Sequence, residues 1–140
     1  MRTIQFPPYL QEGDRVTIIS PAGKIDKNFL KNAKKTLESW GLEVVISKHA
    51  AGEAGRFSGS VKQRTADLQW AMDDESTKAI LCSRGGYGAI HLIDQIDFTK
   101  FRENPKWLLG YSDITLLHEL LQYNGFASVH SPMARHLSVE

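Results

Sequence analysis

The sequence predicts an α/β fold: a largely parallel sheet with helices on both faces. Three observations carry this. Apolar residues switch repeatedly between short strand-like runs and stripes at helical spacing, which is how a layered α/β chain reads. One run, Ala79-Ile80-Leu81-Cys82, is wholly apolar, as expected of a parallel strand covered on both sides. Gly and Pro punctuate the runs, at Pro21, Gly23, Gly41, Gly85 and Gly125, where regular structure stops.

The elements follow in order. Val16-Thr17-Ile18-Ile19-Ser20 reads as the first strand, ended by Pro21-Ala22-Gly23. Asp26 can cap a helix whose apolar positions are Phe29, Ala33, Leu37 and Trp40, closed by Gly41. Leu42 to Ile46 is the second strand. A glycine-bearing loop, Ala50 to Gly59, leads into a helix from Ser60 to Met72 with Val61, Thr65, Leu68 and Met72 as its buried stripe. After the third strand, Ala79 to Cys82, the loop Ser83-Arg84-Gly85-Gly86-Tyr87-Gly88 precedes a helix carrying Ala89, Ile90, Ile93 and Ile96. Trp107 to Gly110 is the fourth strand, and Tyr111-Ser112-Asp113 turns it into a helix through Ile114, Leu117, Leu120 and Leu121. Ala127 to His130 reads as the fifth. Right-handed connections between parallel strands then place function at their C-terminal ends.

The chain has 140 residues, 41% hydrophobic and 24% charged, with 17 Lys and Arg against 16 Asp and Glu. That length is enough for one core without disulfides or metal, and the single cysteine excludes a disulfide framework. A net charge of +1 gives no general pull toward nucleic acid or an anionic membrane. No window approaches a membrane span or a signal peptide, so a soluble cytoplasmic protein is expected. The last residues, Ala134 to Glu140, lack the marks of a finished terminus, so the protein is expected to continue.

Two segments could carry chemistry. In Gly110-Tyr111-Ser112-Asp113-Ile114 a strand runs through a serine directly into a helix, the arrangement of a nucleophile elbow. Ile114 stands where that pattern has its second glycine, so on spacing alone Ser112 reads better as a helix cap. Arg84-Gly85-Gly86-Tyr87-Gly88 lets the backbone approach a ligand and aim N–H groups at it. It matches neither nucleotide-phosphate spacing, and a tight strand-to-helix turn is its alternative reading. His118 lies about 240° around the helix from Ser112 and points elsewhere. His130 could reach the crevice or simply line its rim, and His49, His91 and His136 read as surface or rim residues. No His or Cys cluster supports a metal, and Cys82 reads as a buried small hydrophobe.

Taken together, Ser20-Pro21-Ala22-Gly23, Arg56-Phe57-Ser58-Gly59-Ser60, Arg84 to Ala89, Pro105-Lys106, Gly110 to Thr115 and His130-Ser131-Pro132-Met133 resemble, in order and spacing, the N-terminal half of the LD-carboxypeptidases. That family also holds the microcin C self-immunity proteins. The resemblance implies a flavodoxin-like or class I glutamine-amidotransferase-like N-terminal domain over 1–140, in a serine peptidase that removes the terminal D-Ala from peptidoglycan tetrapeptides in cytoplasmic cell-wall recycling. It implies Ser112 as nucleophile, the N–H groups of Asp113 and Gly86 as oxyanion hole, and no cofactor. Arg84, Gly85 and Tyr87 are expected to line the substrate crevice. The base His and its Glu would belong to a C-terminal domain beyond this chain, and the full-length protein would be a homodimer. Ser131 and His91 stand where the family commonly has Gly and Arg, which bears on substrate detail rather than reaction class.

Overall fold

The computed structural model describes residues 3–137. Five parallel strands, β1 (Arg15–Ile19), β2 (Glu43–Ile46), β3 (Thr77–Cys82), β4 (Trp107–Gly110) and β5 (Val129–His130), lie in the order β2-β1-β3-β4-β5. This is the flavodoxin-like order, whose crevice falls where successive crossovers diverge, between β1 and β3. The helices are α1 (Lys27–Ser39), α2 (Val61–Asp73), α3 (Thr99–Glu103) and α4 (Thr115–Tyr123).

Alternation along the strands divides the core in two. Val16, Ile18, Ala79 and Leu81 face α1 through its buried Leu30, Ala33 and Leu37. Ile19, Ile80, Cys82 and Leu108 face α2, α3 and α4 through Leu68, Met72, Phe101, Leu117 and Leu121. Each fully buried Leu, Ile or Phe is worth roughly 1.5–3 kcal/mol, so each face supplies its own adhesion. Three helices serve one face and α1 the other. The N-terminal segment adds cover there: Phe6 and Tyr9 pack on the Trp107 ring, whose Nε1 donates to the Pro8 carbonyl at 2.9 Å.

The structure corrects several expectations. Phe29 and Trp40 are 41% and 60% exposed, and Leu30 takes the buried place on α1, because the stripe runs 30, 33, 37. On α2, Val61 and Thr65 are half-buried, whereas Arg64 and Asp67 are buried; their polar heads find partners inside. The helix expected after the glycine loop is a single 3-10 turn, Ala89–His91, with Ile90 exposed, and the connection to β4 runs through the unexpected α3. Side chains take the backbone groups a helix would need. Gln95 donates to the His91 carbonyl, Gln69 bonds both the N–H and the carbonyl of Asp97, and the Asp97 carboxylate accepts from Thr99, a local competition that breaks helices. The fifth strand shrinks to Val129–His130.

Candidate active site

The site is assembled by loops leaving the C-terminal ends of β1, β3 and β4. Buried hydroxyls knit the first two: Ser20 shares a 2.6 Å hydrogen bond with Ser83 and donates to the Ala50 carbonyl, while Ser58 donates to the Ser20 carbonyl. The N–H of Gly23 donates to the Gly85 carbonyl at 2.9 Å. A Cβ on Gly23 would lie 2.8 Å from that same oxygen, so only glycine permits this approach.

After β4 the chain passes through extended Tyr111 into Ser112, which has φ +62, then a 3-10 turn, Ser112–Ile114, that feeds α4. Among the described residues Ser112 alone of the non-glycines adopts positive φ. A β-carbon makes that conformation costly, and such strain collects at functional turns. The elbow closes tightly because Gly110 has no side chain: a Cβ there would meet Ile114 Cγ2 at 2.8 Å. Ile114 thus packs over the first glycine of the elbow where the general pattern would place a second one. Ser112 is exposed, its hydroxyl caps no helix N–H, and Tyr111 occupies the N-cap position. The helix-cap alternative is therefore removed.

The glycine loop lies directly on this serine. A Cβ on Gly85 would stand 3.3 Å from Ser112 Cβ and 3.4 Å from the Asp113 nitrogen. Gly86 and Gly88 have φ of +104 and +122, which frees the loop from helical continuation, and the Gly86 N–H is spent on no acceptor among the described residues. The Asp113 N–H belongs to the first turn before α4, where leading amides lack intrahelical partners. The Asp113 carboxylate turns back and accepts from the Ala89 N–H at 3.0 Å, pinning the far end of the glycine loop to the elbow.

One residue of this assembly has no signal in the motifs. Arg64 is 1% exposed, yet it donates from Nε to the Gly59 carbonyl and from Nη1 to the carbonyls of Pro21 and Gly88. Its guanidinium sits 4.7 Å from the Phe57 ring centroid. One buried cation therefore ties together the loops after β1, before α2 and after β3; burial lowers its pKa, and Asp113 opposes that shift. Its place in the stripe with Leu68 and Ala71 was the available clue.

No histidine or carboxylate among the described residues hydrogen-bonds the Ser112 hydroxyl. His118 lies between the Gly110 carbonyl (2.9 Å) and the Ser128 hydroxyl (2.6 Å), which occupy both its ring nitrogens. His130 is exposed at the rim, and His136 accepts from the Met133 N–H while facing the Tyr111 hydroxyl at 3.2 Å. His91 is half-buried against Phe57 and Tyr87, and the half-buried His49 pairs with the buried Asp67 at 2.8 Å. Cys82 is fully buried and its thiol pKa is pushed up by burial. No group of three His, Cys, Asp or Glu among the described residues could hold a metal ion. Tyr87 is 45% exposed beside the loop and Arg84 is half-buried beneath it.

Fold and site together define an α/β domain that presents a strained serine at a strand-to-helix elbow under a glycine-rich loop. Comparison with known proteins places that class in a family. Residues 16–131 match peptidase family S66, LD-carboxypeptidase N-terminal domain, and the chain belongs to it. It is similar to a probable murein peptide carboxypeptidase of Bacillus subtilis, 39% identical over 91% of this chain and 40% of that protein. A murein tetrapeptide carboxypeptidase of Pseudomonas aeruginosa is 32% identical over 89% of this chain and 41% of its own length. The crystal structure of an MccF-like protein from Bacillus anthracis superposes with a TM-score of 0.87 at 32% identity, covering 97% of this chain and 43% of that one. The chain thus spans about two fifths of the length of these relatives.

Proposed function

We propose that this chain is the nucleophile-bearing part of a serine carboxypeptidase that removes the terminal D-Ala from peptidoglycan tetrapeptides. The observation that carries the reading is Ser112 at φ +62, exposed on the elbow with Gly85 packed on its Cβ. The Ser112 hydroxyl attacks the scissile carbonyl, the amides of Asp113 and Gly86 stabilise the oxyanion, and water later releases the acyl group. The names of the Bacillus subtilis and Pseudomonas aeruginosa relatives support the substrate class.

A serine hydroxyl is a weak nucleophile without a neighbouring base. In this reading the base belongs to sequence beyond residue 140. The test uses a protein spanning the full length of the relatives: a fluorophosphonate should add mass at Ser112, and D-Ala should be released from a muropeptide tetrapeptide. Ser112→Ala should abolish both. Labelling at another residue, or D-Ala release by the alanine variant, would overturn the reading. The likeness to the MccF-like structure favours one second reading, hydrolysis of an acylated nucleotide by the same serine. Cleavage of an aminoacyl nucleotide analogue in preference to the tetrapeptide would select it.

A further inference from the structure

The substrate reading above leaves the Arg56-Phe57-Ser58-Gly59-Ser60 segment without a role, and the charges around the glycine loop supply one. Four cations surround it, and two are occupied. Lys24 pairs with Glu53 at 2.7 Å, and Arg64 is turned inward onto three carbonyls. Arg56 and Arg84 have no carboxylate partner among the described residues. The Arg84 Nη1 donates only to the Lys24 carbonyl at 3.2 Å, and its buried Nε has no acceptor. Arg56 is exposed, with its guanidinium 5.4 Å from the Tyr87 ring centroid and 6.0 Å from that of Phe57.

Arg84 immediately precedes Gly85, the glycine that meets the serine, and Arg56 lies against the ring of Tyr87, two residues beyond it. A Cβ on Gly86 would lie 3.7 Å from Arg84 Nη2, as one on Gly85 would lie 3.3 Å from Ser112 Cβ. The backbones are coupled too, since the Lys24 N–H donates to the Arg56 carbonyl. An enzyme that removes one terminal residue must hold a carboxylate a single residue beyond the scissile carbonyl, and one residue spans about 3.8 Å. A cation for that carboxylate must therefore stand next to the oxyanion amides. Guanidinium groups, planar and always charged, suit it.

We propose that Arg56 and Arg84 recognise the free terminal carboxylate of the substrate and so restrict the enzyme to the last peptide bond; this rests on the peptidase reading. The test compares, in the full-length protein, kcat/KM for a tetrapeptide ending in D-Ala with that for the same peptide ending in D-alaninamide. The acid should be preferred by about tenfold to a hundredfold, the worth of one hydrogen bond to a charged group. Arg56→Gln and Arg84→Gln should each collapse that preference, mainly through KM on the acid. The Arg56 side chain makes no hydrogen bond among the described residues, and Gln keeps the backbone that accepts from the Lys24 N–H, so Arg56→Gln separates recognition from loop stability. Equal cleavage of acid and amide by the unaltered protein, or an undiminished preference in Arg56→Gln, would overturn the proposal while leaving the peptidase reading standing. Failure to cleave either peptide, with Ser112 unlabelled by fluorophosphonate, would overturn the peptidase reading and this one with it.

Discussion

Ser112 sets stability against the chemistry proposed for it. Its positive φ costs an L-residue about 1–2 kcal/mol, and glycine would relieve that. Ser112→Gly is therefore expected to be more stable than Ser112→Ala in urea, by about 1 kcal/mol, although both lack the proposed nucleophile; equal stabilities would mean that the elbow stores no strain. Lys106 is a second costly residue. It is fully buried, its ammonium donates to the Asn104 carbonyl at 2.9 Å, and burial brings its pKa down to about 8 despite Asp74, Asp73 and Glu75 nearby. Between about pH 8 and 10.5 the unfolded chain keeps a proton that the folded chain has lost, so this group adds stability as pH rises through the window. Lys106→Met should be more stable than the parent at pH 7 and should lack that rise, as followed by thermal melts across the range. At this scale the sequence exposed Ser112 and the glycine loop, because their neighbours form motifs. Arg64 was hidden because its acceptors, the carbonyls of Pro21, Gly59 and Gly88, are backbone atoms that no side-chain pattern announces.

Among the elements, α2 starts from the strongest local signal. Ser60 accepts from the Gln63 N–H at 3.1 Å and Gln63 returns a bond to the Ser60 N–H at 3.0 Å, a full capping box. Ser60→Ala should cost about 1 kcal/mol in chemical denaturation; a cost near zero would mean that Arg64 and the buried stripe hold the helix start unaided. The same helix bears Arg64 four residues later, so loosening it should also reach the glycine loop. Strands β1 to β4 and helices α1, α2 and α4 were legible from apolar period and caps. The segment from Ala89 to Phe98 was not, because Ile90, Ile93 and Ile96 suggest a helix while Gln69, reaching over from α2, captures the Asp97 backbone. That contact joins residues 28 apart, beyond the reach of local propensity.

Over the whole molecule the two faces of the sheet are unequally covered. On the α1 side a cavity of about 330 Å³ is walled by Leu10, Val16, Leu37, Trp40, Leu42, Leu109 and neighbouring apolar groups. The N-terminal segment covers part of that side through Phe6 and Tyr9 on Trp107, and it extends the sheet margin where Gln5 pairs with Phe126. A chain beginning at Gly13 is expected to melt at lower temperature, to bind an apolar dye more strongly and to shift its tryptophan emission to the red. Unchanged melting and emission would mean that the segment contributes nothing to the core.

The sequence alone determined the alternation of strands and helices, the elbow at Ser112 and the glycine loop, since period, caps and turn residues act over a few positions. Tertiary structure decided the strand order, the placement of Gly85 on Ser112, the clamp made by Arg64 and the position of Arg56 and Arg84, which have no carboxylate partner among the described residues, around the glycine loop. Those depend on which distant backbone atoms meet, and parallel crossovers bring together loops far apart in the chain.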